Sequence, residues 1–325
     1  MTRILIAGCG DIALRVARLL SDKHTIFGLL RNPARLEELR AAGIIPIAAD
    51  LDKPASLRRV SGLAHTVLHF APPPASSPSG AARDAALIDT RTRNLLAALA
   101  QGRLPQRLIY ISTSGVYGDC AGEVVNETRP LHAQTTRAKL RVSAEKQIRN
   151  WAKRNGVRAS ILRVPGIYAA ERLPLERLKK GTPALVAAED GYTNHIHAED
   201  LAVCVIAALT QAKPNRIYHT VDDSRMKMGE YFDAVADAFA LPHAARISRA
   251  EAQNVLSPML LSFMNESRRL TNTRMKQELK VVLRYPTVAD ALNEISPAAL
   301  KPHCSPAPAV AVSAAPRQMQ LSLPL

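Results

Sequence analysis

The chain of 325 residues is 47% hydrophobic and 4% aromatic, with a formal net charge of +15. That length and apolar content can bury a large core, either as one α/β unit or as two unequal parts. No run approaches the roughly 18 apolar residues of a membrane span, the first residues read as a strand rather than a signal peptide, and so few aromatic side chains exclude a base-stacking platform. The four cysteines, Cys9, Cys120, Cys204 and Cys304, are scattered without a CxxC pair. Reduced cytosolic thiols, a cytoplasmic protein and no metal site are therefore expected.

Arg3 to Ala7 forms a short apolar strand that runs into Gly8-Cys9-Gly10-Asp11-Ile12-Ala13, after which Leu14, Val16, Ala17, Leu19 and Leu20 follow a helical period. Residues without bulky side chains at such a turn let main-chain N–H groups and a helix N-terminus approach a pyrophosphate. The bland alternative is an ordinary tight strand-to-helix turn. Thr25 to Leu30 follows as a second strand at the spacing of a βαβ unit. An NAD-preferring site would carry a carboxylate near its end; Arg31 and Arg35 stand there instead. A guanidinium suits a 2′-phosphate, so NADP(H) is expected first and NAD(H) second, unless both arginines are merely solvated. Asp11 fits beside a pyrophosphate only if its side chain turns away.

Further strands are expected at 44–48, 66–71, 107–111 and 157–162, with helices at about 33–42, 84–100 and 136–154. Strands separated by helices predict a parallel, doubly wound sheet whose ligands lie at the strands' carboxyl ends. Asp50 and Leu51 follow the third strand, where an adenine ring would lie, and Ala71 ends the fourth. The Pro/Ser-rich loop from Pro72 to Gly80 reads as a flap or a rigid connector. Helix 136–154 has a stripe of Leu140, Ala144, Ile148 and Trp151, which leaves Arg137, Lys139, Arg141, Lys146, Arg149, Lys153 and Arg154 mainly on the solvated surface. Attraction of an anionic ligand is the second use for that charge, and nucleic acid is not expected.

Beyond about residue 165 the alternation weakens. The expected organisation is a Rossmann-type domain over 1–165, rejoined by 193–221. A smaller mixed α/β substrate lobe takes 166–192 and 222–296, and the Pro/Ala-rich tail 297–325 is read as disordered.

The run Ile111-Ser112-Thr113-Ser114-Gly115-Val116-Tyr117-Gly118-Asp119 resembles the "SSxxVYG" stretch of the extended short-chain dehydrogenase/reductase superfamily, which includes the NAD-dependent epimerase/dehydratase enzymes. Arg163 to Tyr168 is similar to its "LRxxGIYGP" stretch, and Asn194 to Asp200 to its "xxIHVxD" stretch. Glu266 to Asn272 and Tyr285-Pro286 resemble an atypical branch, so the likeness covers residues 2–295. It implies a nicotinamide coenzyme and an oxidoreductase or epimerase-like reaction on a sugar nucleotide or other small carbonyl or hydroxyl compound.

The family uses a Ser or Thr, a Tyr, a Lys four residues further on, and an Asn. A phenol beside an ammonium can move the proton that accompanies hydride transfer, and the lysine also holds the ribose. Thr113 matches the Ser/Thr position and Lys139 is the candidate lysine, but Thr135 stands four residues before it, and Leu131 to Lys139 contains no tyrosine. Asp89 falls near the Asn position, as in the atypical branch. Tyr117, Tyr168 and His197 are the other conceivable proton carriers, while Tyr168, Asn194 and His197 are expected along the substrate cleft. The missing phenol keeps a different class open, a catalytically degenerate NADP(H) sensor. Family relatives pair through the long helices beside the fifth strand, which makes a homodimer an expectation.

Overall fold

Ile4, Leu5, Ile6 and Ala7 are all buried, as a strand covered on both faces requires. In the computed structural model, which describes residues 1–74 and 87–295 without the side chains of Pro258, Met259 and Phe263, they belong to β1 (Thr2–Ala7). Six more strands join it: β2 (His24–Leu30), β3 (Ile44–Ala48), β4 (Thr66–His69), β5 (Arg107–Thr113), β6 (Arg158–Val164) and β7 (Arg216–His219). The sheet is parallel throughout, in the order β7-β6-β5-β4-β1-β2-β3. The direction of winding reverses between β1 and β4, which opens a crevice at their carboxyl ends.

Alternate residues of β1 enter different cores. Ile4 and Ile6 pack with α1 (Asp11–Leu20) and with the later helix Ala198–Gln211, while Leu5 and Ala7 share a core with α3 (Thr90–Leu99) and α4 (Thr136–Asn155). Between β2 and β3 the chain makes a 3-10 turn, Pro33–Arg35, and then the short α2, Leu36–Ala41, where one helix over 33–42 was expected. The described part of α3 starts at Thr90 because Asp89 caps it, accepting from the N–H groups of Arg91 and Thr92. A separate apolar cluster gathers Tyr168, Leu178, Tyr231, Phe232, Val235, Val288 and Leu292. The start expected for that helix at 84–86, the loop beyond Pro74, Cys304 and the tail 297–325 all lie outside the described residues. No helix among the described residues is long and apolar enough to cross a membrane.

A buried polar network ties α4 to the sheet. Arg163 and Glu145, both almost wholly buried, pair at 2.7 Å, and Ser112 donates to Glu145 at 2.6 Å. Arg163 also donates to the Tyr117 hydroxyl at 2.6 Å, and that hydroxyl lies 2.6 Å from His219 Nε2. This network makes the floor on which the loop after β5 rests.

Candidate functional site

The crevice at the winding reversal is a cavity of about 530 Å³ lined by the turn Gly8–Ala13, by Arg31, Asn32 and Arg35 after β2, by Asp50 and Leu51 after β3, and by Ala71 after β4. Gly8 has φ +103°, and a Cβ there would stand 2.3 Å from Ala71 N, so only glycine lets the turn lie against β4. At Gly10 a Cβ would meet nothing within 4 Å. No side chain caps α1 at Gly10. The first N–H groups of α1 are therefore left for a ligand, in a space that an anion fits. Asp11 does turn away, pairing with Arg15 at 2.9 Å and with Arg172 at 3.0 Å. Arg35 donates to the Cys9 carbonyl at 2.6 Å and pairs with Glu38 at 2.6 Å. Arg31 is exposed and makes neither a hydrogen bond nor an ion pair among the described residues. Cys9 fills space behind the turn, and burial pushes its thiol up to about 12.

A second cavity, of about 330 Å³, lies between the segments that follow β5 and β6 and the apolar cluster around Tyr168 and Tyr231. It is lined by Thr113, Gly115, Arg137, Tyr168, Asn194, His195, Glu266 and Arg268, among others. Ile167 and Arg172 line both cavities, and β5 gives Ile111 to one and Thr113 to the other. The two clefts thus meet at the end of β5. A dinucleotide laid along the first would bring its far end to a molecule held in the second.

The match to known proteins agrees with this layout. The model of the NAD dependent epimerase/dehydratase family matches residues 13–220. The chain belongs to that family. Among solved structures, a conserved protein of unknown function from Silicibacter pomeroyi DSS is similar at 28% identity and a TM-score of 0.73, covering 91% of this chain and 98% of that one. The fold is also that of UDP-glucose 4-epimerase from Thermotoga maritima with UDP-glucose (17% identity, 89% of this chain and 96% of that one, TM-score 0.71). UDP-glucuronic acid 4-epimerase from Bacillus cereus, in complex with UDP-glucuronic acid and NAD, is alike at 16% identity, 90% of this chain, 96% of that one and a TM-score of 0.70. No curated protein matches the sequence significantly.

Against the family's constellation, the expected residues divide. Gly8, Gly10, Asp11, Ile12, Ala13, Arg31, Arg35, Asp50, Leu51 and Ala71 all line the first cleft. Thr113, Tyr168 and Asn194 line the second. Thr113 Oγ1 accepts from Gly115 N at 3.3 Å. Tyr168 is a wall residue: its hydroxyl donates to the Thr287 carbonyl at 3.4 Å, and burial drives its pKa far upward. Asn194 spends its amide on the backbone of Arg268 and Leu270, at 2.9 and 2.8 Å.

Four expected residues lie elsewhere. Lys139 is exposed and lines an outer groove between α3 and α4, with Leu96, Val142 and Trp151. The cleft-facing residues of α4 are Arg137, in the second cleft, and Arg141, in the first. They stand four apart, at the spacing of the family's tyrosine and lysine. A residue two positions on is turned by about 200° around a helix, so Lys139 must face away from them. Arg141 donates to the Ile111 carbonyl at 2.6 Å and the Tyr110 hydroxyl at 3.0 Å. Asp89 lines neither cleft; its carboxylate takes the two capping N–H groups and the Thr92 hydroxyl, at 2.8 Å. Tyr117 lies in the buried Arg163 network, where burial pushes its pKa up to about 12. His197 caps the helix Ala198–Gln211, accepting from Glu199 N at 3.3 Å, and its neighbour His195 lines the cleft instead.

The sequence reading passed over Arg137, Arg141, Arg172, His195, Glu266 and Arg268. For the first two, the four-residue spacing at the start of a helix was the available signal. His195 Nδ1 and Arg268 Nε are buried and without a hydrogen-bond partner among the described residues.

Proposed function

We propose that the first cleft binds NADP(H), with NAD(H) as second choice, and that the protein is an oxidoreductase or epimerase-like enzyme acting on a small carbonyl or hydroxyl compound. The observation that carries this reading is the open space at Gly10, beside uncapped N–H groups of α1 and below the unpaired Arg31. In such a complex the α1 N-terminus would hold the pyrophosphate, Arg31 a 2′-phosphate, and Arg141 the end of the dinucleotide near β5. A bound nicotinamide would supply the acceptor or donor of hydride; the chain supplies the positioning. Sugar nucleotides are the first substrates to try, because epimerases of the same fold hold UDP-glucose and UDP-glucuronic acid. Calorimetry with oxidised and reduced NADP and NAD tests the reading. Uptake of NADPH supports it, and no uptake of any of the four removes it.

A specific observation keeps a second reading in play. Arg137 occupies the cleft-facing turn where the family has its phenol, and a guanidinium cannot give up a proton near neutral pH. Under that reading the protein is an NADP(H)-binding sensor. Single-turnover oxidation of bound NADPH by a carbonyl panel separates the two, since a sensor binds coenzyme and transfers nothing. The outer groove between α3 and α4 supports pairing of two copies there, which light scattering in solution checks.

A further inference from the structure

We propose that Glu266 is the catalytic proton-transfer group of this site, standing opposite Thr113 in place of the absent phenol. The inference rests on coenzyme binding in the first cleft, as proposed above. Glu266 lines the second cleft with 12% of its side chain exposed. Its Oε2 and Thr113 Oγ1 each lie 3.7 Å from the point where a Cβ on Gly115 would stand. A carboxylate and the hydroxyl at the family's Ser/Thr position therefore face one small volume at the end of β5.

The carboxylate is held from several sides. Arg268, buried itself, donates to Glu266 Oε2 at 2.8 Å and to the Gly118 carbonyl at 2.7 Å. Ser267 N donates to Asp119 at 2.8 Å, while Cys120 N and Gly122 N both donate to the Ser267 carbonyl at 3.0 Å. Asn194 clamps the backbone of Arg268 and Leu270. Glu266 Oε1 accepts no hydrogen bond among the described residues, so one oxygen remains for a ligand. A group held in this way loses little freedom when a substrate arrives.

The other carboxylate lining the cleft is spent. Asp190 accepts from Gly191 N and Gly229 N, at 2.9 and 2.7 Å. Tyr168 donates to Thr287, and Arg137 has no proton to lend. When a secondary alcohol is oxidised, its O–H proton would pass to Glu266, and a bound oxidised nicotinamide would supply the acceptor for the C–H hydrogen and its electron pair. A C=O bond forms, Glu266 becomes neutral, and Thr113 keeps the substrate oxygen in place. Carbonyl reduction runs the same transfers backwards.

The test uses binding of the two redox forms of one coenzyme to the full-length chain. Oxidised nicotinamide carries a positive charge that the reduced ring lacks. A carboxylate close to the reacting end favours the oxidised form. In Glu266→Gln the ratio of NADP+ to NADPH dissociation constants should rise about threefold or more, and Glu266→Asp should keep it within about twofold of the parent. If Glu266 only anchors Arg268, both affinities move together and the ratio stays put, which overturns the proposal. Should the parent chain take up neither form, coenzyme binding itself has failed, a result distinct from an unchanged ratio.

Discussion

Arg31 and Arg35 stand four residues apart at the end of the same strand, yet their partners give them different work. Arg35 braces the glycine turn through the Cys9 carbonyl, whereas Arg31 makes neither a hydrogen bond nor an ion pair among the described residues. Arg31→Ala should therefore weaken NADP(H) about tenfold more than NAD(H), by calorimetry, since only NADP(H) carries the phosphate it would meet. Arg35→Ala should weaken both coenzymes alike. The same logic separates Lys139 from Arg141. Lys139→Ala should leave coenzyme affinity within about twofold, because its ammonium lies in the outer groove, and Arg141→Ala should lower it about tenfold. These assignments were half legible. Residue type and position after a strand marked both arginines of the turn, but a partner such as the Cys9 carbonyl appears only once the turn is folded against β2.

At the level of elements, α4 shows where reading a pattern stops. Its apolar stripe is plain, and Leu140, Ala144, Ile148 and Trp151 are all buried. The basic residues on the rest of its surface carry no mark of which ones border a cleft and which border solvent. A two-residue shift in the aligned motif, little more than half a turn, moved the expected lysine from a cleft face to an outer one. The helix is also held from below by Glu145, which sits with Arg163 in the interior. Removing one partner of such a pair leaves an uncompensated buried charge. Glu145→Gln should cost about 3 to 5 kcal/mol in urea unfolding. A loss below about 1 kcal/mol would show that water reaches the pair.

For the molecule as a whole, buried titratable groups set a pH dependence. Burial pushes His69 and His219 down to about 3 and His195 down to about 4. Unfolded, each takes a proton near the ordinary value of about 6.5. Stability from these groups is therefore complete above that pH and is lost as the pH falls toward 4. Asp222 acts in the opposite sense: burial raises it to about 7, so folding favours its proton. Burial raises Asp89 and Asp190 as well, which softens the slope further. The three histidines set the sign, so unfolding free energy, and denaturation midpoints with it, should fall as the pH drops from 6.5 to 4. Midpoints that stay level over that range would contradict this count. The parallel sheet and the glycine turn were readable from residues in order along the chain, because strands buried on both faces must be apolar runs and a tight turn must use glycine. The pairing of Glu266 with the neighbourhood of Thr113 was not, since it depends on a late segment folding back against the loop after β5, and nothing local in either stretch specifies that meeting.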